Sequence, residues 1–291
     1  MTIQHVFTID LEDWYQGLEI DMNDWGQFAP RIENGLRVVL DLCAHAGVHG
    51  TFFVLGRQAE KTPSLIREVA ELGHEIACHG YSHRFIYYQR PAEFRQEVCR
   101  AKQVLEQITG CPVRGFRAPF FSITQQSLWA LDVLLEEGFT YDSSLFPVFN
   151  YRYGLRDSAR TPGTIRTPSG NSIFEIPLST VRLPHGTARL GFNIPISGGG
   201  YFRLYPYRFT RALARLLESQ GTGLVFYVHP WEFDPDHPRV KMPRRIAQFT
   251  HYMNLRAMVE RTRKLLLDFD FVPIREAYGD CIAAGSESRQ V

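Results

Sequence analysis

The sequence predicts an α/β fold built from strand–helix units that close into a barrel. Short runs rich in β-branched and aromatic residues alternate with longer helical runs through the first half of the chain. This alternation is typical of a mainly parallel sheet with helices outside it. Several such units within 291 residues favour a barrel over an open sheet. Hydrophobic residues make up 44% and charged residues 22% of the chain, which excludes a disordered protein.

The first half supplies five predicted strands. They cover residues 6–9, 50–55, 74–78, 113–116 and a run that begins at 139–141. Helices are predicted between them at residues 32–46, 62–72, 91–109 and 125–137. Pro63 suits a first helical turn, where its missing N–H costs nothing. Glycines directly after these helices, such as Gly47 and Gly110, suit the helix ends.

The regular pattern breaks between residues 143 and 205, which contain six prolines and three consecutive glycines. We interpret this segment as short strands and loops over one face of the domain. Regularity resumes with a helix at 207–219, a strand at 223–228, one long helix at 242–268 and a last strand at 269–274. We predict one barrel domain over 1–283, with 143–205 as an irregular insertion, 206–283 as its C-terminal part, and 284–291 as a flexible tail.

Composition narrows the class of protein. Lysine and arginine number 32 against 31 acids, a balance that argues against nucleic acid as the main partner. No apolar run approaches the ~20 residues of a membrane-spanning helix. The first residues lack the pattern of a secretory signal. We therefore expect a cytoplasmic location, with the five scattered cysteines as free thiols.

Unusual polar residues follow the predicted strands. They are Asp10, Glu12 and Asp13 after the first strand, His79 and His83 after the third, Arg117 after the fourth, Asp142 after the fifth, and His229 after the strand at 223–228. In parallel α/β folds, active sites are built at the carboxyl ends of the strands. The convergence of these groups on one rim predicts an active site there.

The histidine pair predicts a metal site. His79 and His83 are four residues apart and can face the same way on a helical turn. With a carboxylate from the first strand end they form a set of three ligands, which is typical of catalytic zinc. Glu12 and Asp13 both remain candidates for that carboxylate. Asp10 directly follows an apolar strand, and Arg117 is its expected counter-charge.

His229 is predicted to point toward the same rim. It follows a strand that is expected to be buried and precedes Pro230, which keeps it extended. Asp142 or Glu232 would orient it. The remaining histidines have no such polar partners at a strand end and are expected to be structural or solvated: His5, His45, His49, His74, His185, His237 and His251.

In order along the chain, these residues resemble the motifs of polysaccharide deacetylases of carbohydrate esterase family 4. That family has a strand-end acid pair, two histidines four apart, an RxP[YF] motif, a later aspartate and a strand-end LxH. The corresponding runs here are Asp10-Leu-Glu12-Asp13, His79-Gly-Tyr-Ser-His83, Arg117-Ala-Pro119-Phe120, Tyr141-Asp142 and Tyr227-Val-His229. Two departures stand out: the acid pair is spread over four residues, and Tyr227 replaces the leucine.

The second half resembles one branch of that family, the deacetylases found with exosortase-linked exopolysaccharide gene clusters. The resemblance lies in the runs Gly198-Gly-Gly-Tyr-Phe-Arg203 and His229-Pro-Trp-Glu-Phe-Asp234. It implies a distorted (β/α)7-type barrel whose part 206–283 is specific to the branch. It also implies a role in exopolysaccharide synthesis, in association with the synthesis machinery, on an acetylated amino-sugar polymer or oligosaccharide.

The resemblance implies metal-dependent removal of N-acetyl groups. Zn²⁺, or another divalent ion, would be held by His79, His83 and either Glu12 or Asp13. Asp10 would be the base, Arg117 would position it, and His229 would be the acid, with Asp142 in the catalytic set. A backbone N–H near Phe120 would help to stabilise the oxyanion. The expected substrate-binding residues are Pro119, Phe120, Phe121, Tyr201 and Trp231.

Two other functions fit the same sequence. One is hydrolysis of other amides or of O-acetyl esters on the same scaffold, which the metal site does not distinguish from N-deacetylation. The other is a non-catalytic carbohydrate-binding protein, which predicts a broken set of acid, base or metal ligands. All of those residues are present, which favours the enzyme.

Overall fold

The computed structural model describes residues 3–18, 20–150, 153–182, 193–242 and 245–287. Its strands are β1 His5–Leu11, β2 Thr51–Val54, β3 Glu75–Cys78, β4 Gly115–Phe116, β5 Tyr141–Asp142, β6 Gly163–Arg166, β7 Ser172–Glu175, β8 Thr180–Arg182, β9 Asn193–Pro195, β10 Val225–Val228 and β11 Phe271–Val272. Its helices are α1 Ile32–Ala46, α2 Gly56–Lys61, α3 Pro63–Glu71, α4 Pro91–Thr109, α5 Ala130–Glu136, α6 Gly199–Leu204, α7 Tyr207–Ser219, α8 Arg245–Tyr252, α9 Met258–Asp268 and α10 Ile274–Glu287.

One sheet organises the molecule. Its strand order is β10-β1-β2-β3-β4-β5-β7-β6, and β11 also pairs with β1. Every pairing in this sheet is parallel except that between β6 and β7. The sheet curls into a distorted (β/α)7-type barrel, as predicted. Because β1 lies between β2 and β10, strands from both halves of the chain meet at one rim.

Successive residues along the strands point alternately into two apolar layers. Phe53 and Tyr141 belong to an inner cluster, which Ile282 of α10 joins. Phe7 and Phe52 belong to the larger cluster that the outer helices cover. Side chains on a strand point alternately to its two faces, so strands with both faces covered are apolar throughout. A polar residue at the end of such a strand therefore marks the rim.

Two predicted elements in the second half are wrong in extent. The single helix expected over 242–268 is two helices, α8 and α9, because Asn254 adopts a left-handed backbone with φ 53° between them. The strand expected to reach residue 274 ends at Val272, and α10 begins at Ile274. Residues 284–287 of the expected tail lie in α10, and residues 288–291 are outside the described part of the chain.

The segment 143–205 contains more order than its composition predicts. It supplies β7, which extends the main sheet beside β5, and the separate antiparallel pair β8–β9. Helix α6 starts within the triple-glycine run that we expected to be irregular. Helix α2 was also missed, since only eight residues separate β2 from the helix that Pro63 begins.

Candidate active site

A cleft opens at the carboxyl ends of β1, β3 and β10. It is lined by two groups of residues, one polar and one aromatic. The polar group consists of Asp10, Glu12, His79, His83 and His229. The aromatic group consists of Phe120, Phe121, Tyr153, Tyr227 and Trp231. The rim predicted from the strand ends is therefore a single cleft.

Glu12 is the carboxylate that meets the histidine pair. Its Oε1 lies 3.0 Å from His79 Nε2 and 2.8 Å from His83 Nε2. All three side chains are buried. Burial opposes ionisation of Glu12, but His83 and His79 outweigh it and hold the pKa of its carboxyl well below the ordinary value. One ligand atom from each residue lies within 4.8 Å of the others, a spacing that one metal ion can bridge.

The hydrogen bonds of the two histidines fit a cation at this point. His79 Nδ1 lies 2.8 Å from the carbonyl oxygen of Arg117, so Nδ1 carries the proton and donates it. With Nδ1 used as a donor, Nε2 of His79 is the atom left to bind a cation beside the Glu12 oxygen. His83 Nε2 is buried beside Glu12 and makes no hydrogen bond. A divalent ion would satisfy all three groups.

The histidine pair lies in an irregular loop rather than on the helical turn we expected. Gly80 has φ 77° and His83 has φ 55°, and the two rings lie 5.3 Å apart. A non-glycine residue in the left-handed region costs about 1–3 kcal/mol. Such strain is typical of functional sites, and here it turns His83 back toward Glu12.

Asp13 does not belong to this group, although it was a candidate ligand. Both of its oxygens accept a hydrogen bond from the backbone N–H of Arg31, and Oδ1 also accepts from that of Trp14. Arg31 directly precedes α1, so the carboxylate satisfies a backbone donor at a helix start. The chain turns after β1, where the N–H of Glu12 donates to the carbonyl of Asp10. Glu12 therefore faces the cleft and Asp13 faces α1.

Asp10 and Arg117 form a buried ion pair, as predicted. Arg117 Nη1 donates to Asp10 Oδ1 at 2.8 Å and to Thr8 Oγ1 at 2.8 Å. Its Nε and Nη2 donate to the carbonyl and the hydroxyl of Ser143. The guanidinium also stacks over the ring of Phe53. Asp10 Oδ2 is left facing the cleft, 3.9 Å from His229 Nε2.

His229 is oriented by Glu232. Glu232 Oε2 accepts a hydrogen bond from the backbone N–H of His229 at 3.0 Å and lies 3.4 Å from Nδ1. Burial by itself lowers the pKa of His229, but Glu232, Glu12 and Asp10 outweigh it and raise the pKa to about 9. The ring therefore holds a proton at neutral pH, as a general acid must.

Asp142 lies outside the cleft, so its assignment to the catalytic set is corrected. Its carboxylate accepts hydrogen bonds from the hydroxyl and the backbone N–H of Ser144. Burial raises the pKa of Asp142, and burial together with the Asp142 charge raises that of Glu175 well above the ordinary value. The raised pKa of Glu175 favours its protonated form, in which it can donate to Asp142. This pair supports the backbone behind Arg117, since the Ser144 hydroxyl accepts from the N–H of Ala118.

Three of the five predicted substrate-binding residues line the cleft: Phe120, Phe121 and Trp231. Pro119 is buried beneath them, and Tyr201 packs beside Tyr153, with 3.2 Å between their hydroxyl oxygens. Sequence reasoning missed Tyr153, which lies in the irregular segment. It noted Tyr227 only as a departure from a motif, although position 227 is two before His229 on a strand and therefore shares its face.

Two consecutive residues of the cleft have strained backbones. Phe120 has φ 55° and Phe121 has φ 52°, and three residues separate them from the end of β4. Phe120 stacks on Phe85, with 4.2 Å between the ring centroids, and contacts His83 at 4.3 Å. The strained turn thus places an aromatic wall beside the metal-ligand candidates.

The other described histidines make structural contacts. His5 lies 3.0 Å from Glu218, His74 accepts from the N–H of Gly50, and His237 and His251 pack around Trp231. His185 is outside the described residues. The five cysteines are free, as expected.

Comparison with known families divides the chain into two parts. Residues 24–137 match the family described as polysaccharide deacetylase. We call residues 24–137 the deacetylase-like domain, after this match. Residues 143–279 match a domain of unknown function, DUF3473. The deacetylase match includes His79, His83 and Arg117, whereas Asp10 and Glu12 precede it and His229 lies in the second match.

Two curated relatives each match about a third of this chain. A peptidoglycan-N-acetylglucosamine deacetylase of Bacillus cereus is 31% identical over 107 residues, which are 36% of this chain and 36% of the relative. A chitooligosaccharide deacetylase of Bradyrhizobium sp. is 35% identical over 99 residues, which are 33% of this chain and 42% of the relative. The matches therefore span less than half of either relative.

The fold recurs in a solved structure over almost the whole chain. A candidate polysaccharide deacetylase from Mycobacterium smegmatis has a TM-score of 0.64 and 21% identity, and the alignment covers 97% of this chain and 91% of that one. The deacetylase-like domain and the segment 143–279 thus belong to one shared barrel. None of the helices in the described parts of the chain is long and apolar enough to span a bilayer.

Proposed function

We propose that this protein is a metal-dependent hydrolase that removes N-acetyl groups from an amino-sugar polymer or oligosaccharide. The observation that carries the proposal is the cluster of Glu12, His79 and His83 facing Asp10 and His229 across one cleft. A metal-ligand set, an acid paired with arginine and a protonated histidine are the groups that amide hydrolysis needs. The deacetylase-like domain supports this reaction over other uses of the fold.

Each side chain has a defined part in the reaction. A divalent ion, with Zn²⁺ as the first candidate, would supply Lewis-acid activation of water and of the acetamide carbonyl. Asp10 takes a proton from the attacking water at Oδ2, because Arg117 occupies Oδ1. His229 donates the proton at Nε2 to the leaving amine, because Nδ1 faces Glu232. A backbone N–H near Phe120 is the proposed donor to the oxyanion.

The aromatic lining supports a sugar substrate. Trp231 stacks on His229 with 5.3 Å between the ring centroids, and Phe121 lies 4.8 Å from Tyr227 on the other wall. Aromatic faces pack well against the apolar faces of sugar rings. Both curated relatives named above are deacetylases of N-acetylated sugars by their names. A role in exopolysaccharide synthesis, association with its machinery and a cytoplasmic location stay predictions.

Two adjacent carboxylates provide a matched test. Glu12→Gln is expected to lose bound zinc and acetate release, because an amide replaces the anionic ligand. Asp13→Asn is expected to retain both, because its oxygen still accepts from the N–H of Arg31. Zinc per chain after gel filtration and acetate released from N-acetylated oligosaccharides measure the two outcomes. Retained zinc in Glu12→Gln, or loss of zinc confined to Asp13→Asn, would contradict the assignment.

A further inference from the structure

Arg203 lies in the segment without assigned function, yet its guanidinium contacts the carboxylate that orients His229. The side chain is buried, and Nε donates to Glu232 Oε1 at 3.0 Å. The other oxygen of Glu232 accepts from the backbone N–H of His229. One carboxylate thus joins a buried cation to the histidine of the cleft.

The guanidinium is fixed on its other side as well. Arg203 Nη1 donates to the carbonyls of Thr250, His251 and Met253 at 2.8, 3.0 and 2.8 Å. These carbonyls lie at the end of α8, where a helix leaves acceptors without intrahelical partners. Because the planar guanidinium is held by four acceptors, it gives the Glu232 carboxylate a fixed orientation.

The glycine run before Arg203 provides the space for that carboxylate. A Cβ at Gly199 would lie 2.0 Å from Glu232 Oε2, and a Cβ at Gly198 would lie 2.5 Å from the Tyr227 hydroxyl. Both distances are too short for any side chain. Gly199 and Arg203, both in α6, therefore approach Glu232 from one helix.

The positive charge of Arg203 affects the ionisation of Glu232. Burial raises the pKa of Glu232, but Arg203 and His229 together outweigh burial and lower the pKa below the ordinary value. Without the guanidinium, the buried carboxylate would lose its main counter-charge. Its pKa would rise, and a carboxyl group that holds its own proton is a weaker acceptor for the proton on His229 Nδ1.

We propose that Arg203 is a positioning residue, which acts through Glu232 to keep the proton on His229 Nδ1 and Nε2 aimed into the cleft. This inference rests on the proposed function. It assigns to the segment of unknown function the task of preparing the general acid, while the deacetylase-like domain carries the histidine ligands of the metal site.

The test compares two substrates in the zinc-loaded full chain. Arg203→Met is expected to lower kcat for an N-acetylated oligosaccharide about 10- to 100-fold, as loss of an outer partner of a histidine does elsewhere. Hydrolysis of 4-nitrophenyl acetate is expected to stay near the wild-type rate, because nitrophenolate leaves without protonation. KM for the oligosaccharide is expected to change little. Glu232→Gln is expected to give the same pattern, and the double variant no further loss, because both residues act through one path.

Arg261 provides a matched control. Its Nη1 donates to the carbonyls of Phe202, Arg203 and Tyr205, so Arg261→Met removes three similar contacts from the same region without touching Glu232. This variant is expected to affect both substrates equally. An equal loss on both substrates in Arg203→Met would instead show that Arg203 is only structural. Undiminished amide hydrolysis would also overturn the proposal.

A spectroscopic measurement separates this inference from the proposed function. Nitrogen-15 NMR of the His229 ring in zinc-loaded protein is expected to show a protonated Nδ1 in the wild type and a changed signal at Nδ1 in both Arg203→Met and Arg203→Lys. The lysine variant keeps a charge and tests the planar contact if the methionine variant does not fold. An unchanged signal would reject the role of Arg203. A changed signal without any amide hydrolysis in the wild type would reject the proposed function alone.

Discussion

The carboxyl ends of β1 and β5 both carry a buried aspartate, but one is paired with a cation and the other with a second acid. Asp10 meets Arg117 at 2.8 Å and has its second oxygen in the cleft. Asp142 meets the carboxyl group of Glu175, and burial raises the pKa of both groups. A cation beside a buried acid favours the ionised form, whereas a second acid disfavours it. Strand-end acids are therefore not equivalent.

The different partners of Asp10 and Asp142 decide which of the two can act as a catalytic base. A base must reach the substrate and benefits from a neighbouring cation, and Asp10 lines the cleft and contacts Arg117. Asp142 is enclosed by Ser144 and Glu175, so its oxygens are used within the fold. The contrast predicts that changes at the end of β1 alter metal binding or turnover, while changes at the end of β5 alter stability.

The largest expected effect comes from the metal ligands beside β1. His79→Ala with His83→Ala removes two of three predicted ligands, so bound zinc is expected to fall from about one ion per chain to none. Acetate release is expected to disappear with it. Metal analysis after zinc incubation and gel filtration checks this result. Zinc retained by the folded double variant would place the metal elsewhere.

The next largest effect is expected from substitutions that leave the three metal-ligand candidates in place. Asp10→Asn and His229→Ala are each expected to lower turnover of an N-acetylated substrate about 10²- to 10⁴-fold, because each removes a proton-transfer group. Zinc content is expected to stay at the wild-type value, since Glu12, His79 and His83 remain. Steady-state rates and metal analysis measure the two quantities. Loss of zinc from both variants would refute this division of roles.

The smallest effect belongs to the end of β5 and depends on pH. The folded state raises the pKa of Glu175 from 4.5, so the folded chain binds this proton more tightly than the unfolded chain. Its stabilising contribution is complete below pH 4.5 and is lost as pH rises toward the folded-state pKa. Glu175→Gln keeps a donor to Asp142 but does not titrate.

Urea unfolding at about pH 5 and pH 8 tests this difference. The free energy of unfolding is expected to fall with pH by a larger amount in the wild type than in Glu175→Gln. Zinc content and turnover are expected to remain unchanged in the variant. A steeper fall in the variant would contradict the raised pKa of Glu175. Loss of zinc would show that the end of β5, like the end of β1, takes part in the metal site.

The order of elements was largely readable from the sequence. Helices α1, α4 and α7 have the predicted bounds, because their apolar periodicity and end residues are local signals. The long helix at 242–268 was wrong because one residue, Asn254, adopts a backbone that propensity does not reveal. Helix α6 was missed because it begins within the glycine run. A Cβ at Gly199 would collide with the carboxylate of Glu232, which lies 33 residues later in the chain.

The sequence by itself determined the fold class, the strand ends and most of the groups at the rim, because hydrophobic pattern and turn chemistry act over a few residues. It left open whether Glu12 or Asp13 meets the histidines and whether Asp142 or Glu232 orients His229. Only the tertiary structure decided these pairs. A buried carboxylate takes its role from the cations and donors packed around it, and these come from strands that are neighbours in the sheet and distant in the chain.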